Sequence, residues 1–214
     1  MDVWYVAYGS NTHRERLGRY LAACRDPAAP RESRAVELDG VLYFATESAV
    51  WGGGRGFHDP GAAGRTLARA HLLTAEQFGD IAALEMYREP GDGAGFGAGF
   101  GAGELAEVVA RGCVSFGSGR YETVVCAGEL DGLPMLTFTA PWAVADVELR
   151  APAEPYLRHI AAGLKESGAW TDREIARYLA GSPGAAGTWT EEDVLSFLTI
   201  LPDNPRSGGS HTFG

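Results

Sequence analysis

The stretch that most constrains this chain is residues 4–12, Trp-Tyr-Val-Ala-Tyr-Gly-Ser-Asn-Thr. Its aromatic and β-branched residues predict a buried strand that ends at Gly9. A helix is expected to follow at once, because Thr12 and Glu15 have the spacing of a capping box. A strand, a glycine turn and a helix start can direct several backbone N–H groups at one point, which suits a carboxylate or a phosphate. Many such turns bind nothing, so a purely structural turn stays open.

Length and charge narrow the class of protein. The chain has 214 residues, 45% of them hydrophobic and 21% charged, which fits one soluble domain with a core of its own. The formal net charge of −10 argues against nucleic acid and against an anionic membrane as partners. No apolar run approaches the roughly 20 residues of a membrane helix. The first residues also lack the layout of a signal peptide.

The cysteines and histidines predict neither disulfides nor a metal site. The three cysteines are an odd number without a C-x-x-C spacing, which favours reduced thiols and a cytoplasmic location. The five histidines show no spacing typical of metal ligands, so we expect no bound metal. A Walker loop, a dinucleotide fingerprint and a G-x-S-x-G elbow are all missing from the sequence, and we therefore expect no cofactor.

Composition separates strands from loops through the first two thirds of the chain. Strands are predicted at residues 41–46, 67–73, 119–126 and 134–139, the last two joined by a hairpin turn at Asp131 and Gly132. Glycine dominates residues 51–64 and 91–103, which predicts two long loops. The second repeats Gly-Ala-Gly-Phe and is interpreted as a disordered insertion, or alternatively as a lid that uses Phe96 and Phe100. Residues 108–116 are interpreted as a strand broken at Gly112.

A second helix is predicted to begin after Thr74, which has the spacing of a capping box with Gln77. Phe78 and Ile81 mark its apolar stripe, and Glu85 falls within that stripe. A carboxylate on the inner face of a helix is a functional candidate, because burial raises its pKa towards neutrality.

Two other interpretations of this helix stay open at this point. Glu85 could lie at the edge of the stripe, extended to solvent or paired with Arg88 three residues on. Glu89 is a rival carboxylate, although Pro90 follows it directly and would leave it at the helix end, in solvent.

Three helices and a polar tail complete the chain. Spaced apolar residues and capping signals predict helices at residues 155–167, 171–181 and 190–201. The first of them carries Tyr156 and ends at Gly168. Residues 202–214 are polar and glycine-rich and are expected to be disordered. We therefore expect one domain at residues 1–201, with an insertion at 91–103 and a disordered tail.

Several segments resemble the γ-glutamylcyclotransferase family. Tyr8-Gly9-Ser10-Asn11 is similar to its opening motif, and residues 81–87, Ile-Ala-Ala-Leu-Glu-Met-Tyr, are similar to its pattern Leu-Asp-x-x-Glu-Gly-Tyr. Tyr121 resembles a tyrosine on the strand after that helix, and residues 156–168 resemble a tyrosine-led helix. The resemblance implies an α+β fold, with a small closed mixed β-barrel surrounded by helices.

The resemblance also implies a reaction and a site. The substrate would be a γ-glutamyl amide whose own α-amine attacks the γ-carbonyl, releasing 5-oxoproline and a free amine. Glu85 would be the general acid/base, and this single ionisable group would suffice for the proton transfers. The backbone of the motif would hold the α-carboxylate of the substrate, and three tyrosines would line the pocket. These residues are Gly9, Ser10 and Asn11, and Tyr8, Tyr121 and Tyr156.

The amine half of the substrate stays open. Ala82 stands where the family pattern has aspartate and Met86 where it has glycine, which puts the shape of the site in doubt. The family includes enzymes that act on glutathione or γ-glutamyl amino acids, on γ-glutamyl-lysine isopeptides, and on γ-glutamyl intermediates of aminoglycoside antibiotic assembly. The expected partner is a small-molecule γ-glutamyl amine, and the sequence leaves a homodimer open.

Two functions of other kinds remain as alternatives. One is an enzyme on the same scaffold that transfers the acyl group to a second amine or cleaves a different amide. The other is a non-catalytic module that binds an anionic metabolite at the glycine turn.

Overall fold

The computed structural model describes residues 1–91 and 100–200, which form strands and helices in the following order. The strands are β1 (Asp2–Ala7), β2 (Ser33–Asp39), β3 (Val41–Glu47), β4 (Gly54–Asp59), β5 (Arg65–Thr74), β6 (Cys113–Ser115), β7 (Thr123–Leu130) and β8 (Leu133–Thr139). The helices are α1 (Arg14–Leu21), α2 (Ala75–Glu85), α3 (Ala102–Arg111), α4 (Glu154–Ser167), α5 (Asp172–Gly181) and α6 (Glu191–Ile200). None of these helices has the length and apolar character needed to cross a membrane.

Strand β1 lies in the middle of the main sheet. Six strands form this sheet in the order β2-β5-β1-β8-β7-β6, and β1 runs antiparallel to β5 and parallel to β8. Strands β3 and β4 form a separate antiparallel hairpin. Thr139 of β8 joins this hairpin to the sheet, because its hydroxyl donates to the carbonyl of His58 at 2.6 Å and accepts from the amide of His58 at 3.1 Å. The turn at Gly9 therefore leaves the sheet from its centre.

The expected α+β class with a mixed sheet is confirmed, whereas the expected closed barrel is not formed. Closure requires the two outer strands of a sheet to pair with each other. Within residues 1–91 and 100–200, β2 pairs with β5 alone and β6 with β7 alone, so the sheet keeps two open edges.

Helices cover both faces of the sheet, which explains why β1 is buried along almost its whole length. Val3 and Tyr5 point into a core shared with α2 and α3, and Trp4 and Val6 point into a core shared with α4, α5 and α6. This alternation follows from the two-residue period of a strand. The strand expected from the aromatic and β-branched composition is confirmed.

The helix after Gly9 begins later than the sequence predicted. Thr12 ends a 3₁₀ turn (Ser10–Thr12), and its hydroxyl donates to the carbonyl of Gly9 at 2.8 Å. Helix α1 follows His13 as N-cap, without a side-chain capping bond. The capping box expected at Thr12 and Glu15 is therefore wrong, because the 3₁₀ turn uses the Thr12 hydroxyl. The capping box at Thr74 and Gln77 is present.

Two regions predicted as loop or strand fold differently. Strand β4 lies within the loop predicted at 51–64. Helix α3 takes the loop end at 102–103 and the first part of the strand predicted at 108–116, whereas β6 forms the second part of that strand after Gly112. Tyr121 precedes β7 in a turn instead of lying on the strand. Phe100, proposed for a lid, is buried beside Phe78 at a ring distance of 5.1 Å. Phe96 and the tail at 202–214 lie outside the described residues.

Candidate active site

One cavity collects all seven residues of the predicted site. It opens between the turn after β1, the end of α2, the hairpin strand β4 and the start of α4. The structure thus brings together residues that are far apart in the chain, while their roles stay predictions. The predicted residues that line the cavity are Tyr8, Gly9, Ser10, Asn11, Glu85, Tyr121 and Tyr156.

The turn after β1 presents backbone donors to this cavity. Its carbonyls are used, since those of Gly9 and Ser10 accept from the amides of Thr12 and His13, both at 3.1 Å. Among residues 1–91 and 100–200, no protein atom accepts a hydrogen bond from the N–H groups of Gly9, Ser10 or Asn11. Unpaired N–H groups grouped in a turn form a suitable site for an anion.

The far side of the same turn is bound by buried charges. Arg69 of β5 is 4% exposed, donates to the carbonyl of Thr12 at 3.0 Å and pairs with Glu166 of α4 at 2.8 Å. Glu166 also contacts His13 Nε2 at 3.2 Å and accepts from the amide of Arg14 at 3.0 Å. Burial alone would raise the pKa of Glu166, but these hydrogen bonds lower it to about 2.

Helix α4 also contacts the turn through Gly163. A Cβ atom at this position would lie 2.3 Å from the carbonyl carbon of Thr12 and from the amide nitrogen of His13. Only glycine permits such an approach without moving the backbone. The position of the turn is therefore fixed by residues about 150 positions later in the chain.

Glu85 is the last residue of α2 and enters the cavity beside the turn. Asn11 Nδ2 donates to Glu85 Oε1 at 3.1 Å and to the hydroxyl of Tyr5 at 3.2 Å. Glu85 is half-buried because the cavity opens to solvent, yet burial of its carboxyl is the main effect and raises its pKa. Hydrogen bonds from Tyr20 and Asn11 and the charge of Arg16 oppose that rise.

The pairing of Glu85 with Arg88 is wrong, whereas the position of Glu89 in solvent is confirmed. Arg88 does not pair with Glu85, because its guanidinium binds Glu122 at 2.7 Å. Glu89 is exposed and does not line the cavity. Within the described part of the chain, Glu85 is the one carboxylate that lines it.

The three predicted tyrosines are held by hydrogen bonds to backbone groups of β4 and β8. Tyr121 donates to the carbonyl of Gly56 at 3.0 Å, and the hydroxyl of Tyr156 accepts from the amide of Gly56 at 3.1 Å. Tyr8 donates to the carbonyl of Phe138 at 2.8 Å. Burial raises the pKa of all three well above the usual value, so they stay protonated and cannot serve as bases.

Sequence reasoning missed the arginines and part of the aromatic lining. The missed arginines are not adjacent in the chain, and one lies in β4, which composition assigned to a loop. Tyr20 follows Arg16 by one helical turn on α1, a spacing that could have indicated a shared face. The missed residues are Tyr5, Arg16, Tyr20, Trp51, Arg55, Tyr87 and Arg120. Within the described residues, no group of three or more His, Cys, Asp and Glu side chains is arranged to hold a metal ion.

Comparison with known proteins gives one curated relative and several solved structures. No protein-family model matches the chain. Histone deacetylase 5 of Arabidopsis thaliana is 27% identical over 208 residues, which cover 84% of this chain and 30% of that protein. The chain thus spans less than a third of the length of this relative.

Three solved structures match at low sequence identity. A "Gamma-glutamyl cyclotransferase" is 17% identical, with 92% of this chain and 99% of that chain covered and a TM-score of 0.49. The chain is similar to γ-glutamyl cyclotransferase. An uncharacterized human protein is 19% identical, with 91% and 98% covered and a TM-score of 0.46. YkqA from Bacillus subtilis is 15% identical, with 94% and 56% covered and a TM-score of 0.40.

The two departures from the γ-glutamylcyclotransferase pattern lie outside the cavity. Ala82 is fully buried in the core. Met86 packs beneath the loop before β7, because a Cβ atom at Gly119 would come within 2.3 Å of Met86 Cε. Neither residue lines the cavity. Met86 therefore contacts the loop that carries Arg120 and not the cavity itself.

Proposed function

We propose that the protein cleaves γ-glutamyl amides by cyclisation, with Glu85 as general acid/base and without a cofactor. The observation that carries this proposal is the hydrogen bond of 3.1 Å between Asn11 Nδ2 and Glu85 Oε1. It holds the carboxylate of the cavity beside the turn whose N–H groups are unpaired. A γ-glutamyl group with its α-carboxylate on those N–H groups would place its α-ammonium group next to Glu85.

The reaction needs no partner other than the substrate. The α-nitrogen forms a bond to the carbon of the γ-carbonyl, and the bond from that carbon to the leaving amine breaks. Both reacting groups belong to one molecule, so fixing their geometry can replace roughly 7–11 kcal/mol of activation barrier. The products are 5-oxoproline and the free amine, as expected of a lyase that acts on amides.

Glu85 transfers the proton in this scheme. It accepts a proton from the α-ammonium group before the attack, and the α-nitrogen gives up a second one as the lactam forms. The departing amine takes up two protons and leaves as an ammonium ion, so the proton count balances. A carboxylate with a raised pKa is suited to both steps, because its pKa lies closer to the working pH. Tyr8, Tyr121 and Tyr156 stay protonated because burial raises their pKa, so they take up no proton and instead form hydrogen bonds or orient the substrate.

The direct test replaces the carboxyl group without changing its size. Glu85→Gln should lower the kcat for 5-oxoproline release by roughly 10²–10⁴, the usual contribution of a general acid/base. Glu89→Gln is the matched control, since it removes an exposed carboxylate four residues later, and it should retain wild-type kcat. Release is measured by mass spectrometry on a panel of γ-glutamyl amines. Wild-type turnover by Glu85→Gln would refute the assignment.

The pH profile gives an independent check. Glu85 must be ionised to accept the proton, and its pKa is raised, so kcat/KM should increase with pH as the carboxyl group ionises. This acid limb should be lost from any residual activity of Glu85→Gln. The same product analysis separates the alternatives, because transfer to a second amine yields a γ-glutamylated product and simple binding yields none.

A further inference from the structure

Three arginines line the cavity without a carboxylate partner. Arg16, Arg55 and Arg120 all contribute to the lining, and none of them forms an ion pair with an Asp or Glu of residues 1–91 and 100–200. Salt bridges elsewhere use most of the arginines on the surface, for example Arg65 with Glu37. Grouping unpaired guanidinium ions in one concave site is costly unless an anion joins them.

Arg16 and Arg120 both lie close enough to Glu85 for their charges to act on its carboxylate. The guanidinium of Arg16 stacks on the rings of Tyr20 and Trp51, at 5.1 and 5.2 Å from their centroids. Arg120 donates to the backbone carbonyl of Glu85 at 3.2 Å. The Nε atoms of both arginines are buried and have no acceptor among the described residues. Each guanidinium therefore keeps donors for a ligand.

Arg55 lies near Tyr121 and Tyr156 in the cavity. It precedes Gly56, whose amide and carbonyl bind Tyr156 and Tyr121, and its Nη1 donates to the hydroxyl of Thr46 at 3.2 Å. A guanidinium has five N–H donors in a planar fork. Most of the donors of Arg55 thus remain for a bound group.

The charges of the cavity and of a γ-glutamyl group do not balance. The lining carries three guanidinium ions and the single carboxylate of Glu85. The α-carboxylate and α-ammonium groups of the substrate cancel each other. The charges of Arg16 and Arg120 both act on Glu85, that of Arg16 more strongly. One carboxylate balances only one of them, so two positive charges of the lining, including that of Arg55, are left without an anion.

We propose that Arg55 and Arg120 form a second anion-binding subsite, which accepts an amine half that carries two negative charges. This inference rests on the proposed function for the position of the γ-glutamyl group. The shared chemistry is a dianion, either the two carboxylates of an acidic amino acid or a phosphate monoester. Arg55 and Arg120 are specificity-determining residues in this arrangement, and neither takes part in the proton transfer.

The test measures binding separately from turnover. Glu85→Gln is titrated by calorimetry with γ-glutamyl-aspartate, γ-glutamyl-asparagine and γ-glutamyl-asparaginamide, which have nearly the same shape and differ by one charge at each step. Each lost charge should raise Kd by roughly tenfold, because a charge-assisted hydrogen bond is removed. The same titration with γ-glutamyl-phosphoethanolamine and γ-glutamyl-ethanolamine tests whether a phosphate monoester is preferred to a neutral group.

Variants assign the preference to the two arginines. In the Glu85→Gln background, Arg55→Gln or Arg120→Gln should reduce the ratio of the Kd for γ-glutamyl-asparaginamide to the Kd for γ-glutamyl-aspartate towards one. Arg55→Lys and Arg120→Lys keep the charge and should retain part of this preference. Arg111→Gln is the control, since Arg111 is exposed and pairs with Glu107 on α3. All variants are compared at low salt, where charge effects are least screened.

The outcomes distinguish this inference from the proposed function. A preference for either dianion that depends on Arg55 and Arg120 supports the subsite. The series with the larger preference shows whether the dianion is a pair of carboxylates or a phosphate. Equal Kd values along both series would overturn it, even if the wild-type protein releases 5-oxoproline. A charge preference without any 5-oxoproline release would leave the subsite standing and refute the proposed reaction.

Discussion

Two walls of the cavity differ in how they are held. The anchored wall is the turn at residues 9–13, together with its supports Arg69, Gly163 and Glu166. The open wall is the segment of Glu85, Tyr87 and Arg120. In the anchored wall Asn11 is 3% exposed and every support comes from another element of the fold, whereas in the open wall Tyr87 is 64% exposed. Arg120 is attached there by one hydrogen bond and by stacking on Tyr87 at 4.6 Å.

The difference fits the two halves of the proposed substrate. The γ-glutamyl half is constant in the reaction, so a rigid turn that fixes its carboxylate contributes to the rate. The amine half decides which substrate is used, and side chains on partly exposed segments can vary without disturbing the core. We therefore expect substitutions in the anchored wall to change stability and substitutions in the open wall to change substrate preference.

Removing Arg69 should give the largest loss of stability. Arg69→Met leaves the carbonyl of Thr12 and the carboxylate of Glu166 without their buried donor. Breaking a fully buried ion pair costs about 3–5 kcal/mol in the free energy of unfolding. The cost here should lie at the lower end of that range, because Glu166 is 32% exposed and keeps its contacts with His13 and Arg14. Urea denaturation measures it. The matched control is Arg65→Met on the same strand, whose partner Glu37 is exposed, and it should cost less than about 1 kcal/mol.

The comparison between Arg69 and Arg65 is decisive for the anchored wall. If Arg69→Met and Arg65→Met each lowered the free energy of unfolding by less than about 1 kcal/mol, the view that buried charge holds the turn would be contradicted.

Acidification should release part of the anchored wall. The pKa of Glu166 is lowered to about 2 from the usual 4.5, so its contribution is present above pH 4.5 and is lost as the pH falls towards 2. The loss should not exceed roughly 3 kcal/mol, and screening reduces it because the side chain is 32% exposed. Urea denaturation measures the free energy of unfolding at pH 6 and pH 3, and the decrease between the two should be smaller for Glu166→Gln than for the wild type.

Glu154→Gln serves as the control for this measurement. Glu154 lies on the same helix and pairs with Arg158 at the surface. If the unfolding free energy of Glu166→Gln decreased between pH 6 and pH 3 as much as that of the wild type, Glu166 would not contribute to the loss of stability in acid.

Filling the contact between α4 and the turn should have an intermediate effect. Gly163→Ala adds a methyl group 2.3 Å from the backbone of Thr12 and His13, so the turn or the helix must move. Overpacking of this kind costs about 1–3 kcal/mol, and the KM for γ-glutamyl amines should rise with it. Gly18→Ala on α1 meets no atom within 4 Å and should instead gain up to about 1 kcal/mol from helix propensity. Equal effects of the two substitutions would contradict the close contact.

The sequence predicted elements whose signals are local. The aromatic and β-branched run of β1, the Thr74 cap of α2 and the hairpin turn at Asp131 and Gly132 are all encoded within a few residues. A carboxylate within an apolar stripe made Glu85 a candidate, and the family resemblance favoured it over the alternatives. The α+β class was likewise expected from that resemblance and not from local signals.

The sequence did not predict features that depend on distant contacts. Glycine in β4 suggested a loop, yet a Cβ atom at Gly54 would lie 2.0 Å from the carbonyl oxygen of Arg150, so the strand needs glycine for a close approach. Similarly, Arg69 and Glu166 are 97 positions apart, and no local pattern indicates that they meet. The same reason hid Arg55 and Arg120, which the fold brings to one cavity from separate segments.

The open wall should show the smallest effect on stability and a clear effect on specificity. Arg120→Gln removes one hydrogen bond to the Glu85 carbonyl and a partly exposed stacking contact, which together should cost no more than about 1 kcal/mol of unfolding free energy. The KM for γ-glutamyl-aspartate should nevertheless rise roughly tenfold, whereas the KM for γ-glutamyl-asparaginamide should stay near the wild-type value. Urea denaturation and steady-state kinetics on the same preparation test both statements. A stability loss as large as that of Arg69→Met would mean that Arg120 anchors the fold, and the distinction between the two walls would have to be abandoned.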